Sequence, residues 1–323
     1  MRENKKMEEK MKTKTVGIPQ AMLYYYYHYL WKSFFERLGL EVKFSGKTNK
    51  HILNAGISSA VDEACLPVKV YYGHVQELAD KVDFLFLPRV VSTEKREYMC
   101  PKLLGLPDMI KASLAPQTAL IDVNINMRNK NSSMNKALGE VAEIIGVSYK
   151  SAWVAWKWAE KKQEEYQSNL VLGNLPFGYE KKDSSYQIAL LGHGYNVFDN
   201  YINMKLIEKL QLLGADIKTK EMVSHELIEK HAGSLPKKMF WTFGKQLLGS
   251  GLYYLNNPEI KGIIFLASFG CGPDSLVGEL LERWAKRDGQ KPFMIITIDE
   301  HTGEAGLVTR IEAFMDMIKR KVS

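Results

Sequence analysis

The sequence predicts an α/β protein built on parallel sheets, and three features carry that expectation. Short apolar runs of β type alternate with amphipathic stretches of helical period, the signature of βαβ units. The alternation occurs twice, on either side of a stretch that reads as helix alone. The length, 323 residues, suits two such units at roughly 100–200 residues per domain.

Taken in order, residues 1–13 read as a solvated tail, because the first fourteen residues carry six basic and three acidic side chains and no apolar run. A first α/β domain is expected over 14–131. Its strands fall at Lys14–Ile18, Glu41–Phe44, Asp83–Pro88 and Ala119–Ile125, with helices near Ala21–Leu38, Val68–Ala79 and Pro101–Lys111. A helical connector and linker follow over 132–185. Ser132–Gln167 reads as one or two long helices whose Trp153, Trp156 and Trp158 are expected to pack into an interface, and turn formers from Gly173 onward close the segment. A second α/β domain is expected over 186–323. Its strands fall at Gln187–Leu191, Asp216–Thr219, Gly262–Ala267 and Met294–Ile298, and its helices near Tyr201–Leu213, Trp241–Leu255, Ser275–Arg287 and Ala305–Lys319.

Composition excludes several classes. The net charge of +7 is spread among interleaved acidic and basic residues, which argues against a nucleic-acid partner. No apolar run approaches the roughly 20 residues of a membrane span, and the charged N-terminus lacks a signal-peptide core, so a cytoplasmic protein without membrane contact is expected. No GxxxxGK[ST] loop occurs, so ATP hydrolysis by a P-loop is excluded.

Three cysteines, Cys65, Cys100 and Cys271, are too few and too odd for a disulfide framework. Each has a proline one or two residues later (Pro67, Pro101, Pro273), which places each at the start of a helix. There a sulfur faces unpaired amides and the positive end of the helix dipole, expected to lower its pKa and to favour an anionic centre. Three thiolates meeting in one cleft suit an iron-sulfur cluster with one open iron. A zinc site completed by His74, His193 or His301 is the competing reading.

Two further segments follow strands. Gly270-Cys271-Gly272-Pro273-Asp274-Ser275 is a glycine-flanked turn whose amides, with Gly270 and Gly272 allowing close approach, suit an anion or cofactor. Asp299-Glu300-His301-Thr302-Gly303-Glu304 gathers carboxylates and an imidazole, and His301 with Glu300 is the acid-base candidate. Gly192-His193-Gly194 lacks the third glycine of a dinucleotide fingerprint, Val197 standing in its place.

Together these segments carry a family resemblance. From Val16 onward the chain resembles the acyl-CoA dehydratase activase-related proteins, relatives of 2-hydroxyacyl-CoA dehydratase subunits. The matches include Gly17-Ile18-Pro19, Asp62-Glu63-Ala64-Cys65-Leu66-Pro67, Leu87-Pro88-Arg89, Cys100-Pro101-Lys102, Phe269-Gly270-Cys271-Gly272-Pro273 and Asp299-Glu300-His301-Thr302-Gly303-Glu304. One departure is Gly194, where the family has proline before Tyr195-Asn196.

The resemblance implies two Rossmann-like or flavodoxin-like doubly wound domains with an iron-sulfur cluster between them. The cluster is of 4Fe-4S type, a single or a double cubane, on Cys65, Cys100 and Cys271. It implies electron transfer in anaerobic metabolism, from an ATP-dependent activase of the actin/Hsp70 class acting in trans. An acyl-CoA substrate and a second dehydratase-like subunit or a second copy of the chain are the other implied partners. His74, Arg89 and Lys102, near the cysteines in sequence, are expected to serve the cluster or a substrate thioester. A non-catalytic scaffold that docks such partners is the alternative from a different class.

Overall fold

A computed structural model describes residues 13–114, 117–127, 130–182, 184–235, 237–289 and 291–322. The expected tail, apart from Thr13, lies outside them. The first part of the chain runs β1 (Thr15–Ile18), α1 (Tyr24–Arg37), β2 (Glu41–Phe44), α2 (Lys50–Ser59), α3 (Leu66–Leu78), β3 (Phe84–Phe86) and β4 (Arg89–Ser92). It continues through α4 (Pro101–Leu114), β5 (Ala119–Ile121) and β6 (Asn124–Asn126). Two long helices, α5 (Lys130–Ile145) and α6 (Tyr149–Val171), lead to β7 (Tyr186–Gly192), α7 (Gly194–Val197), α8 (Leu206–Leu212) and β8 (Ala215–Thr219). The last elements are α9 (His225–Ala232), α10 (Thr242–Asn256), β9 (Ile260–Ser268), α11 (Gly272–Asp288), β10 (Phe293–Ile298) and α12 (Glu304–Val322).

Every strand pairs in parallel, as crossover helices demand. The first sheet has the order β2-β1-β3-β5 and the second β8-β7-β9-β10, so both halves repeat the spatial order second, first, third, fourth. That is the beginning of the flavodoxin-like order, in which ligands lie outside the carboxyl ends of the strands where the winding reverses. In the second sheet the reversal falls between β7 and β9. Strand β1 is buried along its whole length, and one continuous apolar core takes in residues of both sheets. A second core lies on the other face of the second sheet. Among the described residues no helix is long and apolar enough to cross a membrane.

Several expectations are corrected. The strand expected over Ala119–Ile125 is two strands in two sheets. Pro88 separates β3 from β4, and β5 and β6 break in step with them, β4 and β6 forming a separate pair. The helix expected from Tyr201 starts at Leu206, because Met204 and Lys205 take left-handed φ values of 55° and 59°. Helices α2 and α9 were not anticipated, although Asn49 and Ser224 cap them by accepting from the Ile52 and Leu227 amides. Of the connector tryptophans, Trp156 packs on Phe34, but Trp153 and Trp158 are 43% and 46% exposed. Lys157 lies over the Trp153 ring, and Arg37 and Lys162 over that of Trp158. The connector's firmer hold is Gln163, whose side chain accepts from the Leu30 amide and donates to the Tyr26 carbonyl of α1.

Candidate metal centre at three helix starts

Cys65 and Cys271 cap α3 and α11, each followed by a proline in the first turn, and Cys100 immediately precedes Pro101 at the start of α4. Cys65 and Cys271 sit at N-cap positions without a side-chain hydrogen bond to the first-turn amides. The three thiols also lie within electrostatic reach, Cys65 feeling Cys100 and Cys271 feeling Cys65. Lys102 binds the three segments together. Its ammonium donates to the Glu63 carbonyl and to the Gly270 carbonyl, both at 3.1 Å, and so joins the Cys100 helix to the approaches of Cys65 and Cys271. Gly270 holds a φ of +75° beside the Cys65 backbone, a conformation that favours glycine. Gly272 has open space around its Cα.

The sulfurs differ from expectation in their acidity. Burial pushes all three thiols up, and the helix-start amides and Lys102 only partly offset it. At Cys271 the Asp274 carboxylate adds to the rise. Without a cation the site holds neutral thiols, and a bound metal would displace their protons.

Beside Cys271 stands a group that sequence reasoning saw only in part. One ligand atom each from His193, Cys271 and Asp274 lie mutually within 4.8 Å. His193 follows β7 and Asp274 is in the first turn after β9, so the group sits where the second sheet's winding reverses. Gly192 allows this approach, since a Cβ there would come within 2.7 Å of the Leu266 carbonyl oxygen. His193 and Asp274 are 3% and 1% exposed. The Ser268 amide donates to Asp274 Oδ2 at 3.2 Å. His193 Nε2 lies 2.9 Å from Asp274 Oδ1, yet that oxygen and His193 Nδ1 both lack an aligned hydrogen-bond partner. The His193 ring stacks on Tyr195, which neighbours Cys271 and Cys100. Asp274 was missed because an acid in a first helical turn reads as a complement to the dipole.

The remaining candidates are placed as follows. Arg89 donates to the Leu104 carbonyl at 2.7 Å and pairs with Asp108 at 2.5 Å, so its guanidinium braces α4. His74 is fully buried with both ring nitrogens engaged, by Ser45 Oγ at 2.7 Å and Thr48 Oγ1 at 2.9 Å, and Thr48 in turn donates to Asp199. Burial lowers the His74 pKa to about 4 against a small opposing pull from Glu77, which makes it a neutral strut between the halves. Glu300 is ion-paired with Lys69, one turn beyond Cys65. Burial works against its charge, but Lys69 outweighs it and holds Glu300 below the usual carboxylate range. His301 is exposed, its amide donating to Asp299 Oδ1 at 2.9 Å. Glu300, Asp299 and Thr302 line a cleft of about 570 Å³ with Leu66, Lys205 and Lys209.

The neutrality of His74 has a measurable consequence. Its folded pKa lies below its unfolded value of about 6.5, so its contribution is complete above that pH and is lost as pH falls toward 4. Chemical denaturation between pH 7 and 4 is expected to show a loss of up to about 3 kcal/mol from this residue. In H74Q that part of the slope is expected to disappear.

Comparison with known proteins adds one clear relationship. The model of a family described as "CoA enzyme activase uncharacterised domain (DUF2229)" matches residues 15–223. No curated protein matches the chain. Among solved structures, a proposed phosphosugar isomerase from Bacillus subtilis aligns at 9% identity over 99% of this chain and 92% of that one, with a TM-score of 0.23. Glucosamine-6-phosphate deaminase from Thermotoga maritima aligns at 10% identity over 91% of this chain and 78% of that one, with a TM-score of 0.21. Likenesses this slight bear on neither fold nor chemistry.

Proposed function

We propose, from the premise that this chain belongs to the CoA enzyme activase domain family, that Cys65, Cys100 and Cys271 hold an iron-sulfur cluster of the 4Fe-4S kind. The cluster accepts a low-potential electron from an ATP-dependent activase in trans and serves the dehydration of an acyl-CoA. The observation that carries this reading is the meeting of three cysteine-bearing helix starts, tied by Lys102 to the Glu63 and Gly270 carbonyls, with Gly270 lying against the Cys65 backbone. Amides and a cation are the groups that steady an anionic sulfide cluster and set its potential.

Anaerobic reconstitution with iron and sulfide tests the proposal. About four irons and four sulfides per chain are expected, with a broad visible absorption. Single replacement of any of the three cysteines by alanine is expected to reduce the iron bound. Colourless, iron-free protein would end the proposal, and zinc retained in air would replace it. Unchanged iron and partner-dependent turnover in the cysteine variants would favour the scaffold alternative.

A further inference from the structure

Three cysteines leave one iron of a cubane without a protein thiolate, and beside Cys271 stands a buried imidazole. His193 is buried, its Nδ1 has no partner, and its Nε2 faces Asp274 Oδ1 at 2.9 Å without hydrogen-bond alignment. Leaving such a group unsatisfied in the interior is costly, and a bound cation would relieve it. The His193, Cys271 and Asp274 ligand atoms already lie within 4.8 Å of one another. Imidazole nitrogen is a common ligand for iron, cobalt and zinc, and it replaces thiolate in some iron-sulfur centres.

The ring is also preset. Tyr195 stacks on it at 4.8 Å and Phe243 meets it edge-on at 5.8 Å. Asp274 is itself held by the Ser268 amide, and Ser268 Oγ donates to Asn196 Oδ1 at 2.9 Å. A carboxylate fixed beside an imidazole is the usual support of a metal-bound histidine. The other donor trio among the described residues, Glu94, His225 and Glu229, is different in kind, because none of its members is buried and Lys245 already neutralises Glu94 and Glu229.

We infer that His193 is the non-cysteine protein ligand of this centre, binding a metal ion beside Cys271, with Asp274 as the positioning carboxylate. This inference rests on the cluster reading above for the identity of the metal, and on the donor geometry alone for the role of His193.

Two measurements separate their failures. In the first, the anaerobically reconstituted protein is reduced and examined by electron spin echo envelope modulation. A nitrogen-14 coupling is expected, which changes as a nitrogen-15 coupling does when the histidines are labelled, and which H193Q loses while keeping its iron. Iron bound without that coupling, or a coupling that persists in H193Q, overturns the inference and leaves the cluster standing.

In the second, cobalt(II) alone is titrated into the apoprotein and followed by its thiolate charge-transfer and visible bands. H193Q is expected to weaken cobalt binding at least about tenfold and D274N to weaken it by about 10–100-fold, the range for loss of a supporting carboxylate. Cobalt bound with this dependence but no iron taken up would retain the His193 site and remove the cluster. If iron does not bind and cobalt affinity is indifferent to His193, both fail. If H193Q does not fold, D274N and the cobalt titration carry the test, and a wild-type spectrum without a histidine nitrogen coupling still overturns the inference.

Discussion

Lys245→Ala is expected to lower the unfolding free energy by about 3–5 kcal/mol, measured by denaturant titration with the slope unchanged. Lys245 is 2% exposed and Glu97 1% exposed. Its ammonium donates to Glu97 at 2.5 Å and to Glu94 at 3.3 Å, and also to Glu229. Burial opposes the lysine's charge, but Glu229 and Glu97 outweigh it and hold its pKa above the usual range. Removing the cation leaves the buried Glu97 carboxylate only the exposed Lys238, 3.4 Å from its Oε1, while its Oε2 already lacks a partner.

The loss reaches Cys100 as well. Glu94 and Glu97 belong to the turn that delivers Cys100, and Tyr98 after it accepts from the Thr242 amide of α10 and donates its own amide to the Phe240 carbonyl. Iron retention on dilution is therefore expected to fall in the same variant. Lys245→Met keeps the volume but not the charge, and is expected to behave like alanine if charge is the cause.

Gly73→Ala is the second large effect. Helices α2 and α3 cross so closely that a Cβ on Gly73 would lie 1.9 Å from the Ile52 carbonyl oxygen, and one on Gly56 would lie 1.9 Å from that of Lys69. Both obstacles are backbone, so the helices must separate rather than a side chain turn away. A cost of at least about 3 kcal/mol is expected, at the upper end for overpacking. Because α3 begins at Cys65 and carries Lys69, a shift of this helix should also loosen the Lys69–Glu300 pair and lower iron occupancy. Gly139→Ala provides the contrast. Nothing lies within 4 Å of its new methyl group, and in mid-helix it should stabilise by about 0.5–1 kcal/mol.

These sites show which parts of the molecule were legible in the sequence. The parallel α/β class and the cysteine positions were, because apolar period and the cysteine-proline pairs are local signals that the neighbouring chain obeys. Cys65-Leu66-Pro67 and Cys271-Gly272-Pro273 do open helices. The acidity of the sulfurs was not legible, since the dipole is a local property while burial depends on what the rest of the fold lays over each thiol. His74 illustrates the same limit. Its position in the Cys65 helix suggested a role at the centre, but the residue ten positions along that helix meets Ser45 and Thr48 instead. Arg89 likewise spends its charge on α4, whereas Lys102 does reach across the three segments. Asp274 and Lys245 act through partners more than 70 residues away in sequence, in contacts that no spacing rule encodes.

The cysteines stand on returns from separate regions of the chain, two from the first sheet's half and one from the second's. An iron-sulfur cluster held there would therefore brace this fold as a disulfide braces a small secreted domain, except that the brace would be inorganic and would be lost in oxygen. Air would do here what a reducing agent does there. The bleached protein should be softer as well as colourless, cut sooner by proteases along the stretch between Cys65 and Cys100 and slower to refold.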